Sequence, residues 1–161
     1  TTGGVSVGAY DVVKEALGRM GTVSFDRVSM QPGMPQGFGT IGPDSTPIFT
    51  LPGNPVSAFV SFEMFVRPVL RRMQALEPLH RPTVRAVLKD AVQSPAGKRQ
   101  FLRGDLGVED GRYVVGTVGG PGSHLLAGLA NANCLIVVPE ETTHLSAGDA
   151  TTVIMLERRA G

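Results

Sequence analysis

Two glycine-bearing turns, one carboxylate and one guanidinium carry most of the chemistry that this chain can offer. The loop Gly3-Gly4-Val5-Ser6-Val7-Gly8 has the glycine content that lets backbone amides approach a phosphate closely, with Ser6 as a further donor. It lacks the Gly-Lys-Ser/Thr ending of a P-loop, and its glycine spacing differs from the dinucleotide fingerprint. An ordinary tight loop therefore competes evenly with an anion cradle. Asp11 follows at the start of a helix, where the dipole favours a carboxylate. Beside a phosphate it would equally serve as a magnesium ligand, because magnesium takes one or two carboxylates plus the substrate's own phosphates. The second turn, Leu51-Pro52-Gly53-Asn54-Pro55-Val56-Ser57, joins a strand to a helix. Asn54 is a good N-cap and Pro55 suits the first helical position. A helix start of this kind is expected to point unpaired amides at an anion. Lastly, strand alternation puts Phe101, Arg103 and Asp105 on one face and Leu102, Gly104 and Leu106 on the other. Pairing with Asp105 or simple exposure is the more frequent state of such an arginine. The sharper reading is an oxyanion contact: the guanidinium fork suits a tetrahedral dianion, and Ser123, at a glycine-rich helix start, adds a hydroxyl and an amide.

Other chemistries find little support. His80, His124 and His144 have no metal-ligand spacing, and the single Cys134 sits in the apolar run Cys134-Leu135-Ile136-Val137-Val138, where it packs as a small hydrophobe. One cysteine makes no internal disulfide, which fits a reducing compartment. Ser6 and Ser57 lack the Gly-x-Ser-x-Gly context of a nucleophile elbow.

The elements that must position these residues alternate. Asp11 to Leu17 has helical spacing ended by Gly18 and Gly21. Strand candidates lie between Thr22 and Met30, the stretch Gln31 to Gly37 reads as an irregular turn, and a strand resumes from Phe38 to Ile41. Thr46 to Leu51 is a further strand. The helix from Pro55 is apolar on almost every side, so it is buried on more than one face or exposes a sticky one. Pro68 should kink or end its first part, although Val69 to Leu76 could continue the pattern. Glu77 to Pro82 reads as a linker. Beyond it come five short strands, near 84–89, 100–106, 112–118, 133–138 and 151–157, with a short helix about 123–130 and turn signals at Glu109-Asp110-Gly111 and Ser146-Ala147-Gly148-Asp149. The expected organisation is an α/β unit over 1–78 and a small, mainly β unit over 82–161. With 42% hydrophobic residues there is material for a core, and a net charge of +1 gives no general attraction to nucleic acid. The longest apolar run is interrupted by Glu63, Arg67 and Pro68, too short to span a bilayer, so the cytoplasm is the default location.

Taken in order, TTGGVSVGAYD, QPGMP, PIFTLPGNPVSAFVSFE, FLRGDL and GPGSHLL closely resemble the molybdopterin molybdenumtransferase family, including the E domain of gephyrin. The resemblance covers essentially the whole chain but only the C-terminal part of the family's protein: the later portion of a three-layer molybdopterin-binding α/β domain, then a small barrel-like β domain. It implies insertion of molybdate into adenylylated molybdopterin with magnesium, release of AMP, and a homodimeric parent protein. A non-catalytic scaffold of the gephyrin type is the alternative. Gly3, Gly4, Ser6 and Gly8 match the pterin-phosphate loop, and Asp11 matches an acidic residue implicated in magnesium and adenylate chemistry. Pro52, Gly53, Asn54, Pro55 and Ser57 match a second substrate turn. Pro35, Arg103 and Ser123 match molybdate-site positions. Family members commonly read Lys-Pro-Gly-Lys-Pro where this chain has Gln31-Pro32-Gly33-Met34-Pro35, so two cations are replaced. Because the chain starts inside the glycine loop without its preceding strand, it reads as a cut piece, expected to self-associate and to be inactive alone.

Overall fold

The computed structural model describes residues 1–3, 12–20, 22–119 and 126–156. They form two compact units, Thr1–Val28 with Pro32–Leu79, and Ser29–Gln31 with His80–Gly161. The fold is mixed α/β with a barrel-like second unit.

The first unit contains helix α1 (Val12–Arg19) and strand β1 (Val23–Arg27); the chain then contributes β2 (Met30–Gln31) to the other unit before returning as β3 (Pro35–Ile41) and β4 (Thr46–Thr50). Helix α1 runs through Gly18 instead of ending there, with Arg19 paired to Glu15 one turn earlier. Strands β1, β3 and β4 form an antiparallel sheet in that order, Val23 opposite Gly39 and Gly37 opposite Thr50. The irregular turn expected over 31–37 is thus shorter than its composition implies. Pro35 is tolerated as a first strand residue. Gly37 is needed because the strands approach closely: a Cβ there would lie 2.1 Å from Thr50 Oγ1 and 2.9 Å from the Phe25 ring. At the far edge, Thr2 bridges Leu51 in parallel, with Gly3 N–H donating to Leu51 O at 2.9 Å.

Helix α2 (Pro55–Ser61) passes through a π-helical turn (Phe62–Val66) into α3 (Arg67–Met73). The cause is Pro68, which has no amide to donate. The ladder widens just before it, Arg67 N–H reaching Phe62 O, and Pro68 then opens α3, where a missing donor does no harm. The helix therefore survives the proline. Val56, Val60 and Ser61 are buried, whereas Phe62, Leu70 and Met73 are 37%, 43% and 65% exposed. The segment that reads as a linker is held to this helix: Arg71 Nε donates to Pro78 O at 2.7 Å and Arg67 Nη1 to Leu79 O at 2.9 Å.

The second unit adds β5 (Thr83–Leu88), β6 (Val92–Gln93), β7 (Arg99–Glu109), β8 (Arg112–Thr117), α4 (Leu126–Asn131), β9 (Cys134–Val138), β10 (His144–Leu145) and β11 (Ala150–Met155). Strands β7-β8-β5-β11-β9 close into a five-stranded barrel because β7 pairs with β8 along one end and with β9 along the other. Strand β2 joins β7 in parallel, and β6 pairs with β10. The turn signals hold: Asp110 and Gly111 both have positive φ, 48° and 75°, as a two-residue hairpin turn needs. The barrel core is Ala86, Leu88, Val92, Val115, Cys134, Ile136, Val138 and Val153. Gly104 lies where β7 changes partners, opposite both Thr117 and Cys134. Among the described residues, no helix is long and apolar enough to cross a membrane.

Burial, reinforced by the charge of Asp105, pushes the Cys134 thiol from 9.0 up to about 12. The fold keeps the thiol neutral, so its contribution to stability is complete below pH 9 and is lost as pH rises toward 12, where the unfolded chain ionises first. The urea midpoint should therefore fall more steeply across that interval in the parent than in Cys134→Ala. Parallel pH curves for the two proteins would contradict the assignment.

Candidate anion-binding sites

Each unit holds one candidate site. In the first, the backbone at Gly3 and the turn at Gly53 meet at the end of the Thr2–Leu51 bridge. Gly3 has φ of +81°, a conformation glycine adopts without strain, and a Cβ on Gly53 would sit 3.2 Å from Gly3 Cα. At Gly53 a side chain would crowd Gly3, whereas at Gly3 it is the backbone conformation that favours glycine, a Cβ there meeting Gly53 Cα at an ordinary 3.9 Å. Pro52 and Ser57 are buried beneath this contact, Asn54 is half-buried, and Gly53 and Pro55 are exposed. The sequence thus brings Gly3, Pro52, Gly53, Asn54, Pro55 and Ser57 together. Gly4, Ser6, Gly8 and Asp11 lie outside the described residues.

One expectation is corrected here. The first amides of α2 are not left unpaired: Asn54 Oδ1 accepts from Val56 N at 3.1 Å and Ser57 N at 3.3 Å, and Asn54 O accepts from Ala58 N at 2.8 Å. The cap consumes the donors that were expected to face an anion. Replacing Asn54 by alanine should lower stability by about 1 kcal/mol through loss of this cap. Chemical denaturation would check it, an unchanged midpoint counting against the role.

Two apolar pockets flank this unit's sheet. One, about 530 Å³, is lined by Ile48, Leu51, Phe62, Val66, Leu70 and Met73 among others. The second, about 360 Å³, includes Phe38, Phe49 and Phe65. Pro35 starts β3 opposite Arg27. Met34, one of the positions where related sequences carry lysine, places its sulfur 3.4 Å from Arg27 Nη2.

In the second unit Arg103 points from β7 to the outer side of the barrel, yet the residue is only 8% exposed. It borders a pocket of about 330 Å³ with Gln93, Leu102, Thr117 and Gly119. Burying a cation is costly unless its surroundings match it. Two glycines take part in that match: a Cβ on Gly119 would lie 3.3 Å from Nη2, and one on Gly128 of α4 would lie 3.0 Å from Nη1. The neighbouring Asp105 accepts from Asn133 Nδ2 at 3.2 Å, and Asn133 also bonds the backbone N and O of Leu106. Ser123 lies outside the described residues. Sequence reasoning missed Gly128 and Asn133; a glycine inside a short helix was the available signal for the first.

Residues 85–156 match the MoeA C-terminal region (domain IV), and residues 1–72 match a probable molybdopterin binding domain. The chain is 51% identical over 154 residues to molybdopterin molybdenumtransferase 2 of Mycobacterium tuberculosis, covering 92% of this chain and 37% of that protein. It is 36% identical over 155 residues to molybdopterin molybdenumtransferase of Haemophilus influenzae, covering 95% and 38%. Gephyrin of Dictyostelium discoideum is 34% identical over 178 residues, covering 97% and 25%. A crystal structure of a molybdopterin biosynthesis moeA protein from Pyrococcus superposes with a TM-score of 0.74 at 26% identity, covering 92% of this chain and 36% of that one. The chain thus spans well under half the length of the relatives it matches.

Proposed function

The chain belongs to the molybdopterin molybdenumtransferase family, and from that premise we propose that it forms part of an enzyme that inserts molybdate into adenylylated molybdopterin, releasing AMP. The observation that carries this reading is Arg103, a buried guanidinium at a pocket large enough for a tetrahedral oxyanion. In the proposed division of labour Gly4, Ser6 and Gly8 contact the phosphate end of the substrate, and Gly3 with Pro52, Gly53, Asn54, Pro55 and Ser57 forms the wall beside it, the first amides of α2 being taken by the Asn54 cap. Arg103 and Ser123 bind molybdate. Arg27 supplies positive charge beside Met34, where related sequences have lysine; its exposure to solvent limits that contribution.

Asp11 is the proposed magnesium ligand. Among the described residues no three His, Cys, Asp or Glu side chains come together to hold a metal. Magnesium is commonly bound through one or two carboxylates and completed by substrate phosphates and water. When bound, magnesium would neutralise phosphate charge; the chain's own part is to orient the adenylate and to hold the oxyanion. We place the enzyme in the cytoplasm as a homodimer. The scaffold alternative, to which the gephyrin relative lends support, differs in outcome: there Asp11→Ala and Arg103→Ala would leave partner binding intact.

The test is to supply the full-length parent protein with adenylylated molybdopterin, magnesium and molybdate and to measure AMP. Release above the buffer rate that depends on Asp11 supports the assignment. Release at the buffer rate refutes it.

A further inference from the structure

We propose that Gly128, together with Gly119, is a positioning residue for Arg103, fixing the guanidinium so that its fork meets the bound oxyanion; the proposal rests on reading Arg103 as the oxyanion-binding group. The two glycines are neighbours, a Cβ on Gly128 coming within 3.7 Å of Gly119 Cα, and a Cβ on either would crowd the guanidinium carbon, at 3.4 Å for Gly128 and 3.6 Å for Gly119. Each sits against a different terminal nitrogen, Nη1 for Gly128 and Nη2 for Gly119. At these separations peptide backbone replaces side chain as the surface on which the guanidinium rests.

The location of Gly128 sharpens the point. It is inside α4 (Leu126–Asn131), where glycine is less favourable than alanine, so local helix preference does not select it. What favours glycine is that a Cβ would come 3.0 Å from Nη1, tighter than ordinary van der Waals contact, so the guanidinium would have to give way. Gly119 has a second requirement, a φ of +74°, which makes it a poor probe. Gly128 is the cleaner one. An added methyl would displace the guanidinium from its place against the glycine pair and spoil two-point contact with a tetrahedral anion. A lysine in place of Arg103 has a single nitrogen and no fork, so the same methyl should hardly disturb it.

The experiment compares the parent, Gly128→Ala, Arg103→Lys and the double variant by calorimetric titration with sodium molybdate and by the arginine Nε–Hε signals in nuclear magnetic resonance spectra. Gly128→Ala is expected to shift the Arg103 signal and to weaken molybdate binding about tenfold, the scale of one charged hydrogen bond. Added to Arg103→Lys, the glycine change should cost less than about twofold, because the clashing fork is gone. An unmoved Arg103 signal in Gly128→Ala, or a full tenfold loss in both backgrounds, overturns the proposal. If Gly128→Ala fails to fold while the double variant folds, the steric conflict with Arg103 is supported. If both fail alike, the glycine serves the helix and the proposal falls. A parent that binds no molybdate while Gly128→Ala still moves the signal defeats the choice of anion and leaves the positioning standing.

Discussion

Arg103→Ala is expected to reduce molybdate-dependent cofactor formation by about a hundredfold or more, the scale on which truncating one partner of a buried, hydrogen-bonded charge is felt. The residue is 8% exposed, so few water molecules could take over its role once the side chain is gone. Arg103→Lys should recover little of this, since a point charge on a flexible stem does not reproduce a planar fork. The effect should fall mainly on the molybdate concentration needed for half-maximal rate. Measuring product across a molybdate series at fixed adenylylated molybdopterin separates the possibilities: an unchanged dependence would show that the oxyanion is held elsewhere.

Gly104→Val should destabilise the barrel by about 3 kcal/mol, the upper part of the range for overpacking a filled core. A Cβ at this position would meet Cys134 Sγ at 2.7 Å and both Ile136 Cγ1 and Val115 Cγ2 at 2.9 Å. All three neighbours are fully buried, so none can retreat into solvent. For a unit of this size the loss corresponds to a fall in melting temperature of roughly 4–8 °C for each kcal/mol. Thermal unfolding followed by circular dichroism would show it, and a melting point within a degree or so of the parent would mean that the strands can part at this crossing without penalty.

The sequence makes the strands of the second unit legible because each is a short β-rich run bounded by turn residues with a mechanism, such as Asp110-Gly111. It also places Arg103 correctly opposite the core-facing Leu102 and Gly104, since strand alternation is a strict geometric rule. What stays hidden depends on partners distant in the chain. Nothing in Met30-Gln31 announces that two residues will leave one unit to pair with Arg99 and Gln100. The two-residue strands β6 and β10 are too short for periodicity to show. At Pro68 local propensity weighs the missing amide but does not show the wider turn before it, through which the helix continues. At the site, composition reveals that Asn54 caps a helix, yet only coordinates reveal that the cap occupies the donors an anion would need. Gly128 belongs to the same class: its role is defined by an arginine 25 positions away in sequence.

Strand β7 gives Arg103 to the pocket and, at the next residue, gives Gly104 to the seam that closes the barrel. Two adjacent peptide units therefore meet different demands, one the proposed oxyanion contact and the other the closure of the barrel. A lineage that drifts toward a different oxyanion has little freedom to slide or re-register this strand, because any such shift would open the cylinder. Divergence in anion preference should accumulate instead on the groups that face the guanidinium, leaving the strand beneath it as the fixed datum against which they vary.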